Sequence, residues 1–420
     1  MSFDLELADF RSAEERLRGI IYRTPLSRSN TFSSLSGNEV YLKYENAQKT
    51  GSYKIRGASN KLARMVENGD RSDVVAASAG NHAQGVANAA SSLGLRATVV
   101  MPKSAPIAKV QATENYGARV ILYGDGYDEA YRKACEICET EGARFIHPFD
   151  DPDVIAGQGT IAAEILSDLP DADAVIVPAG GGGLLAGISC ALKHLNPHIQ
   201  VYGVQSEHAD AIARSFAAGK KVVTDSASTI ADGIAVKVPG DLTLELIRRY
   251  ADGVVTVKDD TIAEAVLLLL ERSKQVVEPA GAAAVAAVLE GKIELRNKKV
   301  VCLLSGGNID VSLIGHLIER ALTLRTRRGE LHAVLPERAD AIIRFMDDLA
   351  AEGVKVLDFQ SDRSSPLLGC DEVRVYALCE FGGAAHKETA MRNLRAKGYA
   401  KNLISTDELM AAWKDRAASN

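Results

Sequence analysis

Short apolar blocks alternate along this chain with longer stretches in which apolar residues recur every three or four positions. The blocks Val74–Ser78, Ala97–Met101, Arg119–Tyr123, Ala174–Pro178, Val201–Gln205, Val254–Val257 and Val300–Leu304 predict strands, as does Val40–Tyr44. Several are apolar over nearly their whole length, the pattern of strands covered on both faces. Between them, Ala83–Leu93 places Val86, Ala90 and Leu93 on one helical face, and Ile262–Lys274 does the same with Ala265, Val266, Leu269 and Leu270. Strand–helix alternation of this kind predicts a largely parallel α/β sheet. Ligands on such sheets bind beyond the carboxyl ends of the strands, where helix N-termini point.

The pattern changes after about Arg328. Leu331–Leu335 reads as a strand and Ala341–Ala351 as a helix with Ile342, Phe345, Met346 and Leu349 on one face. Val354–Gln360 predicts a second strand and Val373–Phe381 a third, in which Val373, Val375, Ala377 and Cys379 share a side. Lys387–Lys397 predicts a helix and Tyr399–Ile404 a last strand. The order β-α-β-β-α-β predicts a small ferredoxin-like α+β domain. The basic stretch Arg320–Arg328 reads as the junction.

A chain of 420 residues suits two or three domains and buries its core without disulfides. The net charge of -6 comes from mixed signs with no basic stripe, which argues against a nucleic-acid partner. The longest apolar run, Ala263–Leu270, is broken by Glu264 and is too short to span a bilayer. Met1–Phe10 carries acidic residues and no apolar core, unlike a signal peptide. The expectation is a soluble, cytoplasmic protein with no membrane partner. Cys135 and Cys138 form a C-x-x-C pair inside the helical run Tyr127–Glu141, so the six cysteines read as ordinary reduced thiols, with no metal site.

Four segments carry candidate chemistry. In KTGSYKIRGA, Lys54 follows the strand Val40–Tyr44 and opens a helical run. A lysine desolvated at such a junction becomes nucleophilic, although most lysines are solvated surface charges. In SAGNHAQG, Ser78, Gly80, Asn81 and His82 stand at a helix start after a buried strand, suited to a carboxylate; Asn81 also fits a plain N-cap. In PAGGGGLLAG, Gly180, Gly181, Gly182 and Gly183 offer unobstructed N–H groups to a phosphate, or make a tight turn. The run is neither a dinucleotide fingerprint nor a P-loop, since no Gly-Lys-Ser/Thr follows. In LLSGGNID, Ser305 ends a strand where a side chain reaches a ligand, or serves a turn. A reactive lysine, a phosphate cradle and two polar anchors at strand ends fit a phosphorylated aldehyde cofactor.

These segments, with VIAGQGT (154–160), GVQSE (203–207) and ADG (231–233), closely resemble the fold-type II pyridoxal-phosphate enzymes, and among them the threonine dehydratases (threonine ammonia-lyases) of degradative type. The resemblance covers about residues 5–322. It implies a catalytic domain over 1–325 made of two α/β subdomains, the smaller about 45–150, and an ACT-like domain over 331–410. It implies that Lys54 carries pyridoxal 5'-phosphate and acts as general base at Cα, and that Tyr53 packs against the cofactor. Asn81 would bind the 3′-oxygen, Gly180 to Gly183 with Leu184 the phosphate, and Ser305 the ring nitrogen. Ser78, Gly80 and His82 would hold the substrate carboxylate.

The implied reaction converts L-threonine to 2-oxobutanoate and ammonia, with L-serine as secondary substrate. A neutral Ser305 makes the ring a milder electron sink, which suits β-elimination over transamination. Ala79 stands where serine racemases carry a second serine, which favours one-sided elimination, and Gln205 and Ala211 stand at acidic positions of their cation site. The alternatives are an ammonia-lyase for another hydroxy amino acid such as 3-hydroxyaspartate, a serine racemase, a β-replacement enzyme and a non-catalytic amino-acid sensor. The resemblance also implies homodimers or homotetramers and an amino-acid or nucleotide effector, with biosynthetic and degradative use both open. The turn Arg338-Ala339-Asp340 lacks the glycine that lets an effector approach the backbone in ACT domains.

Overall fold

The computed structural model describes residues 3–366, 368–399 and 403–409. Two compact units divide between Ile314 and Gly315. Among its described residues the first carries the strands β1 (Leu26–Arg28), β2 (Glu39–Tyr44), β3 (Val74–Ala77), β4 (Ala97–Met101), β5 (Arg119–Leu122), β6 (Arg144–Phe145), β7 (Ala174–Pro178), β8 (Gln200–Ser206), β9 (Gly253–Val257) and β10 (Lys299–Leu304). They form a six-stranded sheet in the order β1-β2-β10-β7-β8-β9 and a four-stranded sheet in the order β5-β4-β3-β6. All pairings are parallel except β1 with β2. The fully apolar runs are where burial on both faces requires them: every residue of β3 and β7 is buried.

This topology puts the four chemical segments at strand ends. β10 lies between β2 and β7 in parallel register, with Leu304 beside Tyr44 and Cys302 beside Ile176. The segments that follow Tyr44, Leu304 and Pro178 therefore leave one edge of the large sheet. The fourth segment leaves β3 of the small sheet and opens the helix Asn81–Leu93. Helices Lys54–Glu67, Pro152–Asp168 and Gly183–Leu195 pack closely through glycine. A Cβ on Gly157 would lie 2.7 Å from the Arg56 carbonyl, and one on Gly159 2.8 Å from the Gly187 carbonyl.

The second unit holds β11 (Arg328–Pro336), β12 (Lys355–Asp362), β13 (Glu372–Glu380) and β14 (Ile404–Ser405), with helices Ala339–Ala351 and Ala384–Leu394. The sheet is antiparallel in the order β12-β13-β11-β14, the ferredoxin-like arrangement of an ACT domain. Val373, Val375, Ala377 and Cys379 are buried on one side of β13, as the alternation predicts, and Phe345 and Leu349 cover them. The stretch Arg320–Arg328 is helical as far as Leu324. Of the predicted last strand, residues 400–402 lie outside the described residues, and β14 begins at Ile404.

Candidate active site

Lys54 is the first residue of its helix, and Tyr53 is the N-cap. The Lys54 amine donates to the Pro148 carbonyl at 2.7 Å. Desolvation by burial lowers its pKa to about 8, with the Glu278 carboxylate acting in the opposite sense. Tyr53 packs its ring 5.3 Å from the same amine.

The other segments converge on this lysine. The Tyr53 N–H donates to the Ser305 carbonyl at 3.1 Å, and Ser52 bridges to Gly306. Ser305 is itself buried. Gly85 lets the helix Asn81–Leu93 approach the Lys54 backbone, since a Cβ there would lie 3.2 Å from it. Asn81 is not the cap of that helix: Gly80 is, and its N–H donates to Ser78 Oγ at 3.2 Å. The Asn81 amide turns across the cleft instead. Its Nδ2 donates to Glu278 Oε1 at 2.7 Å, and its Oδ1 accepts from Asn308 Nδ2 at 2.7 Å.

The glycine run caps the helix Gly183–Leu195, and no side chain serves as its N-cap. Gly182 has φ +101, a left-handed conformation that glycine adopts without strain. A Cβ on Gly182 would crowd Thr243 and Ile247 at 2.9 Å, and one on Gly181 would collide with the Phe149 ring. A turn alone needs one glycine. Four in a row leave the amides of a helix N-terminus bare, which suits a phosphate. Leu184 is buried in the first helical turn behind them.

His82 is placed differently from a surface anion anchor. Its ring is buried, and Nε2–H donates to the Ile146 carbonyl at 2.9 Å. Burial first, and then the Lys54 charge, push its pKa down to about 3, so the imidazole stays neutral. Any hold on a carboxylate falls to its backbone N–H in the first turn, together with Ser78 and Gly80.

Residues 17–306 match the family model described as pyridoxal-phosphate dependent enzyme. The chain belongs to this family. Lys54, Ser78 to His82, Gly180 to Leu184 and Ser305 all lie inside the matched span. Among curated proteins this family member is 46% identical over 400 residues to the L-threonine ammonia-lyase of Thermotoga maritima, covering 95% of this chain and 100% of that one. It is 49% identical over 321 residues to the Escherichia coli K12 L-threonine dehydratase catabolic TdcB, covering 76% of this chain and 98% of that one. Among solved structures, a T.th. threonine deaminase superposes with TM-score 0.69 at 42% identity over 73% of this chain and 99% of its own. Maize serine racemase superposes with TM-score 0.72 at 34% identity over 77% of this chain and all of its own.

The site also contains a carboxyl group that the sequence pattern does not single out. Glu278 is 4% exposed and precedes Pro279, the first residue of the helix Pro279–Leu289. Desolvation and then the nearby Asp232 raise its pKa to about 7, against lowering by the Asn81 hydrogen bond, Lys109 and Lys54. In sequence an acid before proline reads as a helix start. Only its distance from water makes it unusual, and local pattern does not encode that distance.

Proposed function

We infer that this chain is a threonine ammonia-lyase: it converts L-threonine to 2-oxobutanoate and ammonia, and L-serine to its keto acid more slowly. The desolvated Lys54 amine beside a bare glycine cradle carries this reading, in a chain that over 95% of its length is similar to a curated threonine ammonia-lyase. Pyridoxal phosphate fits the residues present. Gly180, Gly181, Gly182, Gly183 and Leu184 would hold its phosphate by N–H groups, Asn81 its 3′-oxygen and Ser305 its ring nitrogen. When bound it supplies the electron sink that makes a Cα–H bond acidic.

The protein does the rest by placement. Ser78, Gly80 and the amide end of the helix Asn81–Leu93 hold the substrate carboxylate. Lys54, with its pKa lowered by burial, takes the Cα proton as general base. Loss of hydroxide from Cβ, with a proton, gives water and an enamine; the released enamine takes up water and gives up ammonia. Asn81 is held at both ends by Glu278 and Asn308, so its amide orientation is fixed before any ligand arrives. Purified holoprotein given L-threonine should form 2-oxobutanoate and ammonia in equal amounts. Rapid turnover of 3-hydroxyaspartate with none of threonine would overturn the substrate assignment, and racemisation of serine would overturn the reaction.

The lowered Lys54 pKa also predicts how apoprotein captures the cofactor. Only the neutral amine attacks an aldehyde. The capture rate should therefore rise about tenfold per pH unit up to about pH 8 and then level off. Stopped-flow absorbance between about pH 6 and 10 reads this directly. A rise continuing to pH 10 would show that the amine is solvated. Glu278→Gln should move the plateau to lower pH, because the carboxylate acts to raise the lysine pKa.

The cellular setting and assembly are proposals of the same kind. No described helix is long and apolar enough to cross a membrane, and all six cysteines are free thiols, which suits a reducing cytoplasm. The ferredoxin-like unit is read as the assembly or effector module of a homodimer or homotetramer.

A further inference from the structure

Phe149 occupies a position that the cofactor contacts do not explain. It follows Pro148, whose carbonyl accepts the Lys54 amine at 2.7 Å. Its side chain lies against the glycine cradle: a Cβ on Gly181 would enter the ring, and one on Gly183 would lie 2.9 Å from Phe149 Cβ. Its other neighbour is His147, whose ring meets it edge-on with centroids 4.7 Å apart. The segment is fixed rather than free. His147 Nδ1 accepts from the Asp150 N–H at 2.7 Å, and Asp150 caps the helix Asp241–Tyr250 by accepting from Asp241 and Thr243 N–H at 2.9 and 3.0 Å. Phe149 is nevertheless only half-buried, so part of a rigidly held residue stays uncovered one position after the carbonyl that holds the reacting amine.

We propose that the uncovered part of Phe149 is the wall against which the β-methyl group of the substrate packs, so that this ring sets the preference for threonine over serine. The proposal rests on the elimination at Lys54 inferred above. The physical case is simple. Threonine and serine differ by one methyl group, and both present the same carboxylate, amine and hydroxyl. Discrimination between them must come from apolar surface near Cβ, where one methyl group is worth about tenfold or somewhat more. The anchors Ser78, Asn81 and Ser305 are polar, and the cradle is bare backbone. Phe149 sets a large apolar ring against the cradle one residue after Pro148, the partner of the Lys54 amine.

The test uses holoprotein and two amino acids without a leaving group, read by the change in visible absorption on binding. L-2-Aminobutyrate carries the methyl group, and L-alanine lacks it. Wild type should bind L-2-aminobutyrate about tenfold more tightly than L-alanine. Phe149→Ala and Phe149→Asn should lose this contrast, Phe149→Leu should keep most of it, and the ratio of kcat/KM for threonine and serine should follow. All variants are measured at saturating pyridoxal phosphate, so weaker cofactor binding does not enter. Retention of the wild-type contrast by the alanine and asparagine variants would overturn the proposal and leave Phe149 as a support for the cradle. Wild type that turns over neither threonine nor serine would instead defeat the elimination reading, while the analogue pair would still decide the role of the ring.

Discussion

Lys54→Ala holoprotein should eliminate L-threonine about three or more orders of magnitude more slowly than wild type, the loss expected when one side chain is both nucleophile and general base. The argument begins with the amine itself. It is desolvated, held near pKa 8 and aimed by the Pro148 carbonyl. Alanine removes the covalent link and the base at once. The glycine cradle is untouched, so the cofactor should still bind but should leave on gel filtration. Lys54→Arg should be equally inactive, because a guanidinium keeps the charge and does not give up its proton. Added methylamine should restore part of the rate to the alanine variant, since a small amine fits the space of the lost side chain. Full activity in Lys54→Ala would show that the base lies elsewhere.

The fold was largely legible because its signals are local. Val74–Ala77 and Ala174–Pro178 are apolar without interruption, and both became central parallel strands. The period-two pattern from Val373 to Cys379 became a strand with one buried face. The site was legible where strand ends and helix starts mark it, at Lys54, at Ser78 to His82, at the glycine run and at Ser305. What escaped was long-range. Glu278 lies 197 residues from Asn81, and nothing near either residue announces the other. Phe149 reads as a loop aromatic until the cradle is folded against it. His82 reads as an anchor because helix starts attract anions, yet its ring turned inward to satisfy Ile146.

The same distance hid a group of charges that begins two residues after Lys54, and they carry the largest expected effect on stability. Arg56 stands two residues after Lys54, with no exposed side-chain surface. Its guanidinium donates to both Glu45 oxygens at 2.7 and 2.8 Å and to Glu164 at 2.7 Å. Lys43, also fully buried, donates to Glu164 at 2.6 Å. Strand β2, the lysine helix and the helix Pro152–Asp168 are thereby tied at one point. Arg56→Met should cost about 3 kcal/mol, because it leaves the buried Glu45 and the partly buried Glu164 without their main partner. Denaturant midpoints measure the loss.

The dependence on pH identifies the cause. In wild type the Glu164 pKa is lowered, with Arg56 and Lys43 outweighing desolvation. Its contribution is therefore present at neutral pH and is lost as pH falls through the folded-state value. Without Arg56, desolvation of Glu164 is opposed by Lys43 alone, the depression of its pKa shrinks, and the variant loses less stability than wild type as pH falls. The gap between wild type and Arg56→Met should thus stay nearly constant down to about pH 5 and narrow below it. Adding Glu45→Gln to Arg56→Met should recover part of the loss at neutral pH by removing an unpaired charge. A gap that stays constant over the whole range would mean that Arg56 matters through its packing and not through its charge.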